Sequence, residues 1–447
     1  MRLAEKRQLA LDLALATLVD LAPARLIAAQ MRRQGSRLLL PTRAWDLSRY
    51  AEILVLAYGK AAVPMAQAAE TLLRPRPPAA APWPRLRLCI SAPEAFLAPG
   101  QAAAPWSDVR QFVGGHPEPN AASLAAAHAM LQACAAAPAA SLILHLVSGG
   151  GSALAEAPIL PALSLPDLQA AYRALVRNGA PIHEINSVRK HFSAFKGGRL
   201  AAAAPLGADQ LSLILSDVPA GDLSSVASGP SAPDPTTRAD CARILAAHPT
   251  DLPAPVVACL RAGQLPETPK PGDPSFARSA WHLLMDDRGA AAALAAKAGA
   301  AGLAPVLDHT ADEWDYAAAA AHLLRRIREL RRRQPNACLI ASGEVRVAVR
   351  GAAGRGGRNQ TFALECARQI AGEDLCVLSL GTDGMDGNSP AAGALVDGDT
   401  LARAAALGLD LDAALAHFDA YPFLAALRDS IEIGSTGTNL RDLRIFL

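Results

Sequence analysis

The sequence predicts an α/β protein of two domains. Short aliphatic runs end in Gly, Ser or Asp, helix-forming stretches follow them, and the alternation repeats on both sides of a Pro-rich break at 268–274. Length and composition agree: 447 residues, 51% hydrophobic and 19% charged, allow two or three domains with cores of their own. A formal charge of +2, from 43 Lys+Arg against 41 Asp+Glu, gives no general footprint for nucleic acid or an anionic membrane.

Residues 10–29 are apolar and Ala/Leu-rich, but Asp12, Asp20 and Arg25 interrupt them, so they predict a retained amphipathic helix rather than an export signal. No window holds about 18 consecutive apolar residues, so nothing spans a membrane, and the expectation is a soluble cytoplasmic protein. Residues 53–58, 141–147 and 211–215 read as buried parallel strands, leading into Gly59-Lys60, Ser148-Gly149-Gly150-Gly151-Ser152 and Ser216-Asp217. Residues 77–84 and the turn around Pro138 read as loops. The Pro-rich stretch 268–274 marks the domain boundary, giving domains 1–265 and 275–447, with a strand at 280–285 opening the second series. After it come helices at 288–299 and 312–333, a strand at 337–341, a hairpin-like strand at 345–349, a helix opened by Gly356 to Gln360, and a strand at 375–380. Seven dispersed cysteines, without a C-x-x-C pair, predict reduced core thiols.

Several segments can carry chemistry. Consecutive glycines at Gly149, Gly150 and Gly151, followed by Ser152, can cradle an anion with backbone N–H groups or make a plain tight turn; the run matches neither the Walker loop nor G-x-G-x-x-G. Lys60 after a strand can meet a phosphate or be a solvated lysine. Arg189, Lys190 and Lys196 belong to the densest cationic run and can gather phosphate oxygens or form a solvated helix face. Asp217 and Asp222, on a Pro/Gly loop, suit Mg²⁺ or a base for a hydroxyl, with turn or helix caps as the alternative. Glu344 with Arg358, Asn359 and Gln360, and the turn bearing Asp383 and Asp386, present further charges and amides. Phosphoryl transfer needs positioning and charge neutralisation more than a covalent nucleophile, and this inventory suffices for it.

In the order Gly59-Lys60, Gly115-His116-Pro117-Glu118-Pro119, 148–152, 186–199, 216–237, 354–360, 381–387 and Thr436-Gly437-Thr438-Asn439, these motifs resemble the glycerate 2-kinase family with a C-terminal MOFRL domain, often labelled hydroxypyruvate reductase. The resemblance covers essentially the whole chain. It implies a Rossmann-like, three-layer N-terminal domain, a smaller α/β MOFRL-type domain, and an active-site cleft between them. It also implies ATP and Mg²⁺ as cofactors, D-glycerate as the substrate and 2-phosphoglycerate as the product; a homodimer is compatible with it. By the same resemblance Lys60, Asp217 and Arg358 are the catalytic residues: Lys60 and Arg358 hold glycerate's carboxylate or the transferring phosphoryl group, and Asp217 orients the 2-hydroxyl or holds the metal. Gly149 to Ser152, Arg189, Lys190, Lys196, Glu344, Asn359, Gln360 and Asp383 bind substrate or nucleotide, and Asp217 with Asp222 holds the metal. The chain departs from the family pattern at Ala220-Gly221-Asp222, where Gly-Asp-Asp is usual, at Ser342, and at Ser435. An NAD(P)H-dependent hydroxypyruvate reductase is the competing reading, and it would call for the G-x-G-x-x-G turn that is missing. A non-catalytic binding protein would lack the charges that Lys60, Asp217 and Arg358 supply.

Overall fold

The computed structural model describes residues 1–74, 83–94, 107–218, 223–248, 252–349 and 354–447. Two compact units divide the chain: residues 23–284, and residues 1–22 together with 285–447.

In the first unit β1 (Arg32–Gln34), β2 (Arg37–Leu39) and β3 (Ala44–Asp46) form a small antiparallel meander. Strands β4 (Glu52–Tyr58), β5 (Arg85–Ala92), β6 (Ser107–Val113), β7 (Ser141–Val147), β8 (Asp209–Leu215) and β9 (Ser279–Met285) form a six-stranded sheet in the order β6-β5-β4-β7-β8-β9. The pairs from β6 to β8 are all parallel. Every residue of β4, β7 and β8 is buried, which is why these strands read as unbroken apolar runs instead of alternating ones. Leu54, Leu56 and Tyr58 share a core with Ala127, Met130 and Cys134 of the helix Ala121–Ala135. Asn120 starts that helix by accepting from the Ser123 N–H at 2.8 Å.

Chain order runs outward in both directions from β4 and β7, so these neighbours flank the topological switch point, where a parallel sheet opens a crevice at its carboxyl edge. Their register pairs Tyr58 with Val147, so Gly59-Lys60 and Ser148-Gly149 leave the sheet side by side.

In the second unit β10 (Ala304–Asp308), β11 (Ala337–Ser342), β12 (Cys376–Gly381), β13 (Gly393–Asp397), β14 (Ser430–Ile431) and β15 (Asp442–Phe446) form a mixed sheet in the order β10-β11-β15-β12-β13-β14. Strand β15 lies between β11 and β12, antiparallel to both. The helix Leu3–Asp20 belongs to this unit: Arg7 reaches Asp397 at 2.7 Å and Asp429 at 2.6 Å, and Lys6 donates to the Asp374 carbonyl at 2.8 Å.

Four expectations change. The stretch 10–29 is two helices, Leu3–Asp20 and Pro23–Gln30, and only the first packs with the second unit. Strand β9 completes the first sheet instead of opening the second series, so the first unit runs on past the Pro-rich stretch to residue 284. A strand's composition marks it as a strand without saying which sheet takes it. Residues 345–349 form no hairpin strand; Arg346 makes one isolated bridge with Asp315. The helix expected at 312–333 begins at Tyr316, where Asp315 accepts from the Ala317 and Ala318 N–H groups. All seven cysteines are buried and free. No helix among the described residues is long and apolar enough to cross a membrane.

Candidate active site

At the switch point the two loops lock together. The Lys60 N–H donates to the Gly149 carbonyl at 2.9 Å and the Ala61 N–H to Ser148 Oγ at 3.0 Å. The helix Ala62–Leu73 starts there, its Ala62 N–H bonded to the Gly59 carbonyl at 3.2 Å. A Cβ on Gly149 would fall on the Asp217 carboxylate and displace it. Gly150 has φ +81°, and a Cβ on it would lie 3.2 Å from His116 Nε2 and 3.3 Å from Lys60 Cγ. Lys60, His116 and Asp217 therefore all converge on the glycine run.

A cavity of about 540 Å³ opens beside this edge, lined among others by His116, Gly150, Ser152, Asn186, Arg189 and Asp217. Its floor is a hydroxyl chain. Ser152 Oγ lies 2.8 Å from Ser228 Oγ, which donates to Asn186 Oδ1 at 3.1 Å. Ala227 and Ser228 hold left-handed backbone at φ 53° and 58°, a strain of about 1 kcal/mol or more per residue that aims Ser228 at its partners.

Beneath the floor lies a buried charge network. Glu156 and Lys196, both 0% exposed, form an ion pair. Glu156 also accepts from Tyr172 Oη at 3.2 Å and from the Ala157 N–H at 3.0 Å. Burial drives the Lys196 pKa below its ordinary value even against the pull of Glu156. Burial, with Glu156 adding to it, raises the Tyr172 phenol well above its own. Arg189 stacks over Tyr172 with its guanidinium carbon 5.3 Å from the ring centre, and burial lowers its pKa. Lys190 pairs with Asp234 at 3.3 Å.

In the second unit Arg358 opens the helix Arg358–Gln369 and makes a forked pair with Asp442, at 2.7 and 2.9 Å, plus a bond to Glu344 at 2.8 Å. Burial opposes its charge, but Asp442 and Glu344 outweigh this and the pKa is raised. Asn359 and Gln360 are fully buried; their N–H groups donate to Asp386 at 3.0 and 2.9 Å. Burial raises the Asp386 pKa despite these donors. Asp383 accepts from the Met385 N–H at 3.1 Å inside its own turn.

Residues 9–261 match a family model described as a domain of unknown function, DUF4147, and residues 337–442 match the MOFRL family. A D-glycerate 2-kinase of Thermotoga maritima is 34% identical over 401 residues, 88% of this chain and 90% of that one. The chain belongs to the glycerate 2-kinase family. Another relative, from Agrobacterium vitis, is 39% identical over 77% of this chain and 78% of its own, and is named a putative hydroxypyruvate reductase. The crystal structure of a Thermotoga maritima glycerate kinase superposes with a TM-score of 0.83 at 29% identity, covering 99% of both chains.

Within this glycerate 2-kinase fold, the first unit brings Lys60, Gly149, Gly150, Gly151, Ser152, Asp217 and Arg189 to the edge of one sheet or into its cavity. Lys190 and Lys196 do not line that cavity; each is buried against a carboxylate. Asn359 and Gln360 cap a buried aspartate in the second unit. Asp222 lies outside the described residues, as do residues 77–82 of the expected loop. Sequence reasoning gave no role to His116, Asn186, Ser228, Tyr172 or Glu156. For His116 there was a signal, the Gly-His-Pro-Glu-Pro run; Glu156 stands out only once the chain is folded.

Proposed function

We propose that this protein phosphorylates the 2-hydroxyl of D-glycerate with ATP, giving 2-phosphoglycerate and ADP. The observation that carries the reading is the approach of Lys60, His116 and Asp217 to the glycine run at the switch point of the sheet, where Gly150 and Asp217 line a cavity. Backbone N–H groups and a lysine suit phosphate oxygens. In the reaction the substrate's 2-oxygen bonds to the γ-phosphorus and gives up its proton, released in the end to solvent, while the bond from that phosphorus to the β–γ bridging oxygen breaks and ADP leaves. Lys60 would neutralise charge on the transferring group, and Arg358 is proposed as a second catalytic cation whose place in the reaction an Arg358→Ala variant tests.

Mg²⁺ fits the donor set in a limited way. Among the described residues no group of three or more His, Cys, Asp or Glu could hold a metal. A nucleotide-borne Mg²⁺ needs only one or two carboxylates besides phosphate oxygens and water. Asp217, a carboxylate lining the cavity, would supply that contact, and the ion would neutralise phosphate charge. The same carboxylate is the candidate for orienting the 2-hydroxyl.

A reductase reading rests on the names of two relatives. The turn after β4 runs Gly59-Lys60-Ala61, without the glycine spacing a dinucleotide pyrophosphate needs. Phosphorus NMR after incubation with D-glycerate and Mg·ATP, beside NADH oxidation with hydroxypyruvate, decides between them. A 2-phosphoglycerate signal with silent NADH is the expected result. NADH oxidation without phosphorylated product overturns the proposal.

A further inference from the structure

The charges under the cavity do not balance, and the imbalance points at a ligand group. Lys196 is matched by Glu156 and Lys190 by Asp234. Both oxygens of Glu156 are already engaged, one by Lys196 and Tyr172, the other by the Ala157 N–H. On the rim, Arg173 is matched by Glu118 at 2.7 Å. Among the described residues no carboxylate lies within ion-pair distance of Arg189; Glu156, already paired, attracts it only from farther off. Its one hydrogen bond is a long one, 3.5 Å to Asn186 Oδ1, out of five N–H donors. None of its nitrogens is buried without a partner, so the unused donors open into the cavity they line. The Tyr172 ring lies against the guanidinium carbon, a cation–π contact, and the Glu156 carboxylate anchors Tyr172 in turn. A planar guanidinium fork with unused donors suits a carboxylate gripped through two oxygens.

We infer that Arg189 binds the carboxylate of the acceptor and so makes the enzyme select a hydroxy acid over a neutral polyol. The glycine run and Lys60 are left to the phosphates. Asn186 and the Ser152–Ser228 pair border the same pocket and offer hydroxyl and amide groups to the acid's remaining oxygens. The inference rests on the kinase reading above and adds the group that sets its substrate class.

The test compares the wild type with Arg189→Gln and Arg189→Lys in steady-state assays of ADP release. D-glycerate is varied at saturating Mg·ATP, then Mg·ATP at saturating D-glycerate, with glycerol as the neutral acceptor. Arg189→Gln is expected to raise KM for D-glycerate roughly 10- to 100-fold, the loss of a charge-assisted pair of hydrogen bonds. KM for ATP should stay within about twofold, and the preference for D-glycerate over glycerol should fall by the same factor as the KM effect. Arg189→Lys keeps the charge without the fork, so it should recover part of the loss. It also carries the test, with circular dichroism as the folding check, if the glutamine variant does not fold. A rise in KM for ATP with KM for D-glycerate unchanged would hand Arg189 to the nucleotide and overturn the inference, as would no change in either constant. If the wild type makes no phosphoglycerate at all, the kinase reading fails and this inference goes with it; an active wild type with unaffected variants sinks the inference alone.

Discussion

Replacing Lys196 by methionine isolates the buried ion pair beneath the cavity. Lys196 and Glu156 are both 0% exposed, and the substitution keeps most of the side-chain volume while leaving the Glu156 carboxylate without its cation. Breaking a buried pair from one side costs about 3–5 kcal/mol. The carboxyl can escape part of this by taking up a proton. For an ordinary glutamic acid at pH 7 that uptake costs about 4 kcal/mol, which sets the ceiling. Urea unfolding of the full-length variant at pH 7 should therefore show a loss of about 3–4 kcal/mol, and its melting temperature should drop on the order of 10 °C. At pH 5 protonating the carboxyl costs only about 1 kcal/mol, so the gap between variant and wild type should shrink accordingly. The double variant Lys196→Met with Glu156→Gln should recover most of the loss, since the amide oxygen can accept from the Ala157 N–H while the amide NH2 donates to the Tyr172 oxygen. A single-variant loss under about 1 kcal/mol at pH 7, or one independent of pH, would refute the reasoning.

His145, buried in β7, donates from Nε2 to Gln210 Oε1 at 2.9 Å, and burial pulls its pKa down to about 4. The unfolded chain then takes the proton first, so stability falls as pH drops from 6.5 to about 4, by about 3 kcal/mol in all; His145→Gln should flatten that part of a pH series of urea melts. In Gly149→Ala the new methyl group collides with the Asp217 carboxylate, so kcat should fall roughly 100-fold or more while circular dichroism stays that of the wild type. Asp217→Asn separates the two roles of that carboxylate. A weakened apparent Mg²⁺ affinity in an activity titration marks metal binding, a lower kcat at saturating Mg²⁺ marks the hydroxyl role, and no change in either removes Asp217 from the reaction.

The strands that build the site were legible because parallel strands buried on both faces leave a local signature, an aliphatic run stopped by small or polar residues. That is why β4, β7 and β8 were found within a residue or two of their ends. The less regular β5 and β6 escaped notice, carrying Arg85 and Arg87, or Ser107 and Asp108, among their apolar residues. Side-chain partners were the least legible part. Lys196 and Glu156 lie 40 residues apart, Lys190 and Asp234 lie 44 apart, and Arg358 and Asp442 lie 84 apart. A run of cations in sequence says how much charge is present; the distant carboxylates decide which cation is left over. For this reason Arg189, Lys190 and Lys196 looked alike as letters and differ in the fold.

The place of β15 has a consequence for how the chain is made. A ribosome releases the helix Leu3–Asp20 early, yet the sheet that receives it lacks its middle strand until residues 442–446 emerge. Until then that helix has no home, while residues 23–284 can already close around their own sheet. A nascent chain stalled before β15 would carry one finished unit and one open one, with the edges of β11 and β12 bare to strand addition. Trimming a handful of residues at 442–447 should therefore send the protein to chaperones and proteases rather than merely loosen its end.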